Sequence, residues 1–399
     1  MTNEVRNVPD LRFPGFEGEW EESNIDNEFA FFNNKRKPIK ENLRNKGEYP
    51  YYGATGIIDY VDDFIFDGNF ILIGEDGANI VSRSAPLVYF ATGKFWVNNH
   101  AHILYPKFGD IYFNYLLLEN IDYEKYNTGT AQPKLNVQNL KKIKIKSPRD
   151  NSEQQKIGEF FSKLDRQIEL EEQKLAKLEE QKKGYIQQIF SQELRFKNED
   201  GNIYPDWKEY LLGETGNTYS GLSSKTKEDF GYGNSYFITY MNVFKNTIAK
   251  ANIIEKVNIQ ENEKQNKVNY KDILFTTSSE VPEETGMSSI WLYKESNVYL
   301  NSFCFGFRVT CDEIEPIYLT RFLRSGKMRK QITILSQGST RFNISKKEVM
   351  KLKIDVPNLE EQTKIVNFLS KYDSLIESQS SKIDLLKERK KGFLQKMFV

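Results

Sequence analysis

The chain is poor in the residue types that most often build metal and redox sites. Its 399 residues include two cysteines and two histidines. Cys304 and Cys311 lie in the same half of the chain, which argues against a disulfide framework and fits a reducing compartment. His100 and His102 alternate along a predicted strand, but no nearby cluster completes the ligand set of a structural zinc site. We therefore expect no metal site, and we expect the histidines to pack or to form hydrogen bonds.

Long hydrophobic runs and an excess of one charge are also missing. No apolar run reaches the roughly 18 residues that span a bilayer, and no charged-then-apolar leader is present. Lysine plus arginine and aspartate plus glutamate both number 56, so the formal net charge is zero. Any case for nucleic-acid binding must therefore rest on local patches. These features predict a cytoplasmic protein without a membrane anchor.

Motifs for nucleotide binding and nuclease catalysis are missing as well. Gly93-Lys94 and Gly326-Lys327 lack the Ser or Thr that completes a phosphate-binding loop. Glu172-Gln173-Lys174 has nuclease-like spacing but lacks a paired acidic residue on a strand. Gly74-Glu75-Asp76-Gly77 has the pattern of a tight turn. We assign no catalytic residue, and the sequence predicts a chain that is not itself an enzyme.

What the chain does have is an internal repeat. Residues 153–190 return without a gap at residues 361–398, an offset of 208 residues. Glu153-Gln154 matches Glu361-Gln362, and the Lys-Lys-Gly-aromatic run at 182–185 matches that at 390–393. Two copies are too few for a solenoid. The repeat therefore indicates a molecule whose function is built twice.

Both copies of the repeat carry the heptad pattern of a coiled coil. Apolar residues recur at alternating spacings of four and three, and polar residues interrupt them at Glu171 and Lys182 and again at Gln379 and Lys390. A seam with a period of about 3.5 residues is best buried against a second helix of the same kind. We therefore predict an antiparallel coiled coil within the chain, in which the polar interruptions fix the register. The predicted seam residues are Ile157, Phe161, Leu164, Ile168, Leu175, Leu178, Tyr185, Ile189, Ile365, Leu369, Tyr372, Ile376, Ile383, Leu386, Phe393 and Met397.

The repeat also sets the predicted domain organisation. A helix covering 153–190 would span about 57 Å at about 1.5 Å per residue, which makes it a spacer. We predict a first domain at 1–150, a first spacer helix at 151–193, a second domain at 194–357 and a second spacer helix at 358–399. Each domain is long enough to have its own core.

Both domains have a mixed α/β pattern, and they share their edges. Strands are predicted at 70–73, 87–90, 143–145, 273–275, 298–300 and 352–354, with short helices near 111–120 and 316–331. Leu11-Arg12-Phe13 before Trp20 resembles Leu194-Arg195-Phe196 before Trp207. Thr128-Gly129-Thr130 before Asn136 resembles Gly338-Ser339-Thr340 before Asn343, with a spacing that differs by two residues. The second helix ends where the first domain's sequence would follow it, so we expect a circular repeat with adjacent termini and a pseudo-twofold axis.

Two loops combine cations with polar side chains, one at residues 33–40 and one at residues 220–227. Lysine and arginine bind phosphates, and side-chain amides can read adenine edges. Such runs are also common in solvated loops, so they are candidates only, as are two residues near the end of the second domain. The candidates for DNA contact are Asn33, Asn34, Lys35, Arg36, Lys37, Lys40, Ser223, Ser224, Lys225, Lys227, Gln337 and Arg341.

With this order of elements, the chain resembles the DNA specificity subunits of type I restriction-modification systems. The resemblance covers essentially the whole chain and rests mainly on the paired ends of the two domains. One runs from Lys134-Leu135-Asn136 through Ser147-Pro148 to residues 153–157, and the other from residues 341–345 through Val356-Pro357 to residues 361–365. Residues 49–56, 70–74 and 98–102 are also similar to that family.

The resemblance implies two target-recognition domains, each reading one half of a bipartite, asymmetric site in double-stranded DNA. The coiled coil would set the spacer between the halves and dock two methyltransferase subunits, and restriction/translocase subunits would join for cleavage. S-adenosylmethionine, ATP and Mg²⁺ would be bound by those partners, and this chain would bind no cofactor.

Two other classes of function stay open at this point. A two-headed coiled-coil adaptor could bind protein or carbohydrate rather than DNA. A divergent nuclease or a single-chain methyltransferase is less well supported, because the chain lacks the Asn/Asp-Pro-Pro-aromatic motif of adenine methylation. Neither alternative explains a circular repeat in which only the domain interiors diverge.

Overall fold

A computed structural model describes residues 7–129 and 132–399, which divide into two compact units. The second unit is Lys174–Gln379, and the first comprises the chain before it and Ser380–Val399. Each unit thus contains one domain with a part of each long helix. Residues 1–6 of the first predicted domain and Thr130 of the predicted shared edge lie outside the described residues. Within the described part of the chain, no helix has both the length and the apolar character needed to cross a membrane.

The first unit has a mixed α/β domain followed by a long helix. Its strands are β1 Glu21–Asn24, β2 Phe29–Phe31, β3 Lys46–Gly53, β4 Gly56–Val61, β5 Phe66–Asp67, β6 Phe70–Gly74, β7 Val88–Ala91, β8 Lys94–Val97, β9 Ala101–Pro106 and β10 Lys144–Ser147. Its helices are α1 Ile25–Glu28, α2 Asn79–Ser82, α3 Ile111–Glu119, α4 Val137–Lys142 and α5 Asn151–Phe190, the last of which continues into the second unit.

The second unit repeats this plan. Its strands are β11 Lys208–Leu211, β12 Gly216–Ser220, β13 Phe230–Ile238, β14 Glu255–Val257, β15 Ile273–Thr276, β16 Ser278–Ser279, β17 Ser288–Ile290, β18 Val298–Leu300, β19 Cys304–Val309, β20 Phe342–Asn343 and β21 Lys353–Val356. Its helices are α6 Tyr240–Lys245, α7 Pro316–Leu323, α8 Gly326–Ile334, α9 Lys346–Val349 and α10 Leu359–Met397, which continues into the first unit.

Sheet topology shows that the two domains have the same frame. The first contains an antiparallel sheet in the order β2-β9-β6-β7, and the second contains the equivalent order β12-β19-β15-β17. A parallel pair, β3 with β8 and β13 with β18, forms part of another sheet in each domain. The pairs β1-β10 and β11-β21 close each domain beside a long helix. The mixed α/β class and the six predicted strands are confirmed.

One predicted helix is wrong as a single element. The stretch at 316–331 forms two helices, α7 and α8, because the chain turns at Arg324 and Ser325. Ser325 has extended backbone angles, and its hydroxyl accepts a hydrogen bond from the amide of Met328, which makes it the N-cap of α8. The equivalent first-domain helix, α3, begins at an Asp110 cap that accepts from the amide of Phe113.

Charged pairs join the long helices in the antiparallel register predicted from the repeat. In the first unit, Asp165 of α5 pairs with Lys390 of α10 at 2.6 Å. In the second, Lys182 of α5 pairs with Asp373 of α10 at 2.5 Å. The two pairs match under the repeat offset. Lys182 and Lys390, which interrupt the apolar pattern, are therefore partners of carboxylates on the opposite helix, and this fixes the register.

The predicted seam residues lie on the inner faces of the helices. All are buried or half-buried, and burial is greatest near the domains, at Ile157, Phe161, Ile365 and Leu369. Leu175 and Leu178, at the middle of α5, are only half-buried.

A buried ion pair joins each domain to the first turn of the helix that follows it. Arg12 bonds both carboxylate oxygens of Glu153 at 2.7 Å. Arg195 does the same to Glu361, at 2.8 and 2.9 Å. Both glutamates are almost fully buried, and each arginine also donates to two backbone carbonyls. We call these two pairs the helix clamps. The repeated residues are visible in the sequence, but this role of theirs is not.

Hydrogen bonds at the helix ends show that the repeat is circular. The amide of Leu194, just after α5, donates to the carbonyl of Gln188 at 2.9 Å. The amide of Leu11 donates to the carbonyl of Lys396 at 2.8 Å, although these residues belong to opposite ends of the chain. Lys396 is the repeat counterpart of Gln188, so the described N-terminal segment takes the place of a covalent continuation. The predicted proximity of the chain ends is confirmed from Leu11 onward.

Candidate nucleic-acid interface

Late in each domain, a turn packs back onto the central sheet. We define the exit turns by their described residues, 127–129 and 132–136 in the first domain and 336–345 in the second. The amide of Leu135 donates to the carbonyl of Glu75 at 2.8 Å, and the amide of Ile344 donates to the carbonyl of Thr277 at 2.9 Å. Glu75 and Thr277 each follow directly on the equivalent strands β6 and β15.

This pairing corrects the alignment taken from sequence. Asn136 corresponds to Ser345, since each is the N-terminal flanking residue of a short helix, and not to Asn343. The spacing from Gly129 and Gly338 is then identical in both domains. A Cβ on Gly129 would lie 1.7 Å from the carbonyl oxygen three residues later, and one on Gly338 would lie 2.1 Å from its equivalent. Neither place has room for a side-chain carbon, so both exit turns require a glycine there.

A second turn, preceding β9 or β19, lies beside each exit turn. The side chain of Asn98 accepts from the amide of His100 at 2.8 Å, and that of Asn301 accepts from the amide of Phe303 at 2.9 Å. The carbonyls of His100 and Phe303 then accept from the amides of Glu75 and Thr277. We call these the asparagine turns, residues 98–100 in the first domain and 301–303 in the second. They make His100 the counterpart of Phe303.

The side chains on this common frame differ completely. In the first domain, the His100 ring lies 2.7 Å from a carboxylate oxygen of Asp76. In the second, Nε of Arg341 donates to the Ser278 hydroxyl at 3.1 Å, and its guanidinium lies 5.2 Å from the centre of the Phe303 ring. Asp76 and Ser278 occupy equivalent positions. One fixed backbone thus presents an acid-imidazole pair in one domain and a stacked cation in the other.

In the loop at 33–40, two of the candidate residues hold the fold together. The side chain of Asn33 contacts Nδ1 of His102 and accepts from the amide of Ile103, both at 2.9 Å. Arg36 pairs with Glu75 at 2.7 Å and also donates to three backbone carbonyls. Their polar atoms therefore have partners inside the domain.

The other candidates in this loop are exposed. They are Asn34, Lys35, Lys37 and Lys40. Lys35 lies above the Phe32 ring at 5.2 Å, and the side chains of the other three have no hydrogen bond or ion pair with the residues that the structure describes. These four keep the properties expected of phosphate or base contacts, and their assignment stays a prediction.

The loop at 220–227 shows the same division. The Lys225 side chain is 5% exposed, and its ammonium donates to Glu263 at 2.6 Å and to the Asn258 carbonyl at 2.7 Å. The Lys225 hydrogen bond is the main cause that lowers the pKa of Glu263 to about 2. Ser223 bonds to Gln265 through its amide, its hydroxyl and its carbonyl. Ser224 and Lys227 are exposed.

The two remaining candidates lie in the second exit turn. Gln337 is exposed and pairs with Asn343 through its backbone in both directions at 2.9 Å. Arg341 is exposed and sits against Phe303, which is 53% exposed. Gln132, the exposed first-domain counterpart of Arg341, was not singled out from sequence. The corrected glycine alignment would have found it.

The histidines form hydrogen bonds as predicted, but their predicted alternation along one strand is wrong. His100 lies in the asparagine turn and only His102 lies in β9, so they do not alternate along one strand. His102 is buried, and its Nε2 donates to the carbonyl of Leu135 at 2.7 Å while Nδ1 accepts from Asn33. Burial lowers the pKa of His102, which favours the neutral ring. Residues 7–129 and 132–399 contain no group of three or more His, Cys, Asp or Glu arranged to hold a metal ion.

Comparison with known proteins supports a single family. A model of the type I restriction modification DNA specificity domain matches residues 17–180 and again residues 204–388. S.HindORF215P of Haemophilus influenzae, provisionally named a type I restriction enzyme specificity subunit, is 38% identical over 135 residues, or 34% of each chain. The chain thus spans about a third of that relative's length. The type I restriction enzyme MjaVIII specificity subunit of Methanocaldococcus jannaschii is 22% identical over 417 residues, covering 94% of this chain and 91% of that protein.

A solved structure gives the same result for the fold. The type I restriction-modification S subunit from M. genitalium superposes with a TM-score of 0.62 at 17% identity, covering 98% of this chain and 99% of that one. The resemblance found in the sequence is confirmed by the family match. Because the match includes both domains and most of each following helix, the chain belongs to the family of type I restriction-modification DNA specificity proteins.

Proposed function

We propose that this chain is a non-catalytic DNA-recognition subunit whose two domains each read one half of a bipartite, asymmetric site. The observation that carries the proposal is the pair of equivalent exit and asparagine turns. Their backbones are fixed by the same hydrogen bonds, while their exposed side chains differ. Direct readout requires side chains held in place against base edges, and two different half-sites require two different sets.

The long helices would set the distance between the half-sites. α5 has 40 residues and α10 has 39, so each spans about 60 Å at about 1.5 Å per residue. A rigid connection is needed because two readers must meet the major groove at a fixed helical phase, with one turn every 34 Å or so. The helix clamps support this role, since they join each domain to a helix through a buried, bidentate pair.

Partner subunits would supply the chemistry and part of the affinity. In this proposal, two methyltransferase subunits bind the helices and carry S-adenosylmethionine, and restriction/translocase subunits carry ATP and Mg²⁺. The zero net charge of the chain is compatible with this arrangement, because phosphate contacts can be shared with basic partners. In this proposal the complex acts in the cytoplasm, where the DNA is.

The test is to sequence the methylome of a host that expresses the chain with candidate methyltransferase subunits. A host with those subunits but without the chain serves as the control. We expect methyladenine at one new bipartite motif with a fixed gap. A stable complex without any new motif would contradict the recognition role.

Exchanging the two domains while keeping both helices tests whether each domain reads its own half-site. The two halves of the motif should change places, and retention of their order would contradict independent reading by each domain. If no methyltransferase binds and no motif appears, the adaptor alternative becomes the better explanation.

A further inference from the structure

We propose that Arg341 reads a guanine in the half-site of the second domain, an inference that rests on the proposed function. Arg341 lies in the second exit turn, next to the exposed Phe303 of the asparagine turn. Both turns belong to the second unit and are tied to the strand end at Thr277. The side chain is therefore carried by backbone that is fixed at two points.

The contacts of Arg341 hold its guanidinium plane without using its outer nitrogens. Its Nε donates to the hydroxyl of Ser278, a buried residue, at 3.1 Å. The Phe303 ring lies against one face of the guanidinium, at 5.2 Å. Among the described residues, no hydrogen bond or ion pair of Arg341 involves its Nη atoms. Two parallel donors thus remain available at the end of a side chain whose torsions are already restrained.

Guanine is the base whose edge fits such a group. In the major groove it presents N7 and O6 as adjacent acceptors, and a bidentate arginine is the usual partner. A phosphate contact needs only charge and tolerates a mobile side chain. Restraint by Phe303 and Ser278 lowers the entropy lost on forming a contact that depends on direction, and so favours base reading.

The first domain supplies an independent comparison at the same position. Gln132 is the residue three places after Gly129, as Arg341 is three places after Gly338. It is exposed, and the equivalents of Phe303 and Ser278 in the first domain are His100 and Asp76. Equivalent positions with different recognition chemistry are what two different half-sites require.

The experiment compares methylated motifs made by the full complex containing wild-type chain, Arg341→Lys or Arg341→Ala. Lys347→Ala is the matched control, because it removes one exposed charge from the same domain. Arg341→Lys keeps the charge and cannot form the planar fork. We expect both Arg341 variants to lose preference for guanine at one position of one half-site by about 10- to 100-fold, with the other half-site and the gap unchanged.

Three results would overturn the inference. One is a second-domain half-site without guanine, as identified by the domain exchange. Another is an unchanged motif with uniformly weaker methylation, which would make Arg341 a phosphate contact. The third is a normal motif with Arg341→Lys, which decides the matter if Arg341→Ala does not fold. A wild-type complex that methylates no bipartite motif would instead contradict the proposed function, and this inference with it.

Discussion

The two units place different side chains on the same turns. In the first, an imidazole beside a carboxylate occupies the asparagine turn, at His100 and Asp76. In the second, the same two positions carry an exposed phenyl ring and a serine, at Phe303 and Ser278. The turns themselves are held by matching hydrogen bonds, down to the asparagine that caps each one. At these turns the backbone hydrogen bonds match, and the side chains at His100 and Phe303 differ.

Where each domain meets a helix, the two units instead use the same types of contact. Both helix clamps use a bidentate arginine, a buried glutamate and backbone carbonyls. An aromatic contact accompanies each clamp, with Trp20 against Phe113 and Trp207 against Tyr318. The end of the other helix packs there too, through Phe398 in the first unit and Phe190 in the second. Joints that match in the two units, combined with turns that differ, are what two domains need in order to recognise different half-sites from the same spacer.

Breaking a helix clamp should have the largest effect on the free energy of unfolding. Glu361→Gln keeps the size of the side chain and removes the charge, leaving Arg195 partly buried without a counterion. We expect a loss of about 3 to 5 kcal/mol in the free energy of unfolding of the second unit, measured by urea unfolding with hydrogen exchange resolved by unit. Glu360→Gln, at the exposed neighbouring position, should have almost no effect.

Glu153→Gln should destabilise the first unit to a similar degree, since Arg12 and Glu153 form the same bidentate pair, although Glu361 also accepts a hydrogen bond from Nε1 of Trp207. Equal stability of the Glu360 and Glu361 variants would show that the clamp does not hold the domain. Unequal effects of Glu153→Gln and Glu361→Gln would show that the two joints are not energetically equivalent.

Much of the fold could be predicted from the sequence. The repeated segment has the apolar spacing of a coiled-coil helix, and this shows both where the long helices lie and what they pack against. The strands, the long helices and the proximity of the ends followed from apolar periodicity and from the order of the two copies. Lys182 and Lys390 were recognised as register devices, but their partners Asp373 and Asp165 could not be named before the helices were aligned antiparallel.

The candidate site was less predictable, because composition does not distinguish a cation that faces solvent from one that holds a loop. Arg36 and Lys225 have the residue type expected of DNA contacts, yet each is bound to a carboxylate and to backbone carbonyls of its own domain. Their partners, Glu75 and Glu263, are about 40 residues away in the chain. Only the fold brings such pairs together.

The charge pairs between the two helices should contribute differently to the unfolding free energies of the two units. Asp373 binds Lys182 and also Arg321 at 2.6 Å, whose side chain is 4% exposed. Asp165 binds Lys390 and the hydroxyl of Tyr112. Asp373→Asn therefore leaves a buried cation without its counterion and should cost about 2 kcal/mol, measured by urea unfolding.

Asp165→Asn leaves only a half-exposed lysine and a hydroxyl, and should cost about 1 kcal/mol or less. The two variants are matched controls for each other because they occupy the same position in the repeat. Equal losses of unfolding free energy in the two variants would show that Asp373 is not needed to balance the buried charge of Arg321.

The smallest expected effect is a pH dependence limited to the first unit. Burial lowers the pKa of His102 below its usual value of about 6.5, so the folded state resists protonation that the unfolded chain accepts. Stability from the neutral ring is present above about pH 6.5 and is lost as the pH falls, by at most about 1.4 kcal/mol per pH unit. The first unit should therefore lose stability between pH 7 and pH 5.5, by at most about 1 kcal/mol.

The second unit is the internal control for this effect, because Phe305 takes the place of His102 and both histidines of the chain lie in the first unit. His102→Gln retains a donor for the Leu135 carbonyl and an acceptor for Asn33, the two partners of the ring. It should flatten the pH dependence of the first unit whatever it does to stability at pH 7, since glutamine does not titrate. A pH dependence in hydrogen exchange that is equal in both units, or that persists in His102→Gln, would mean that carboxylates common to the two halves are responsible.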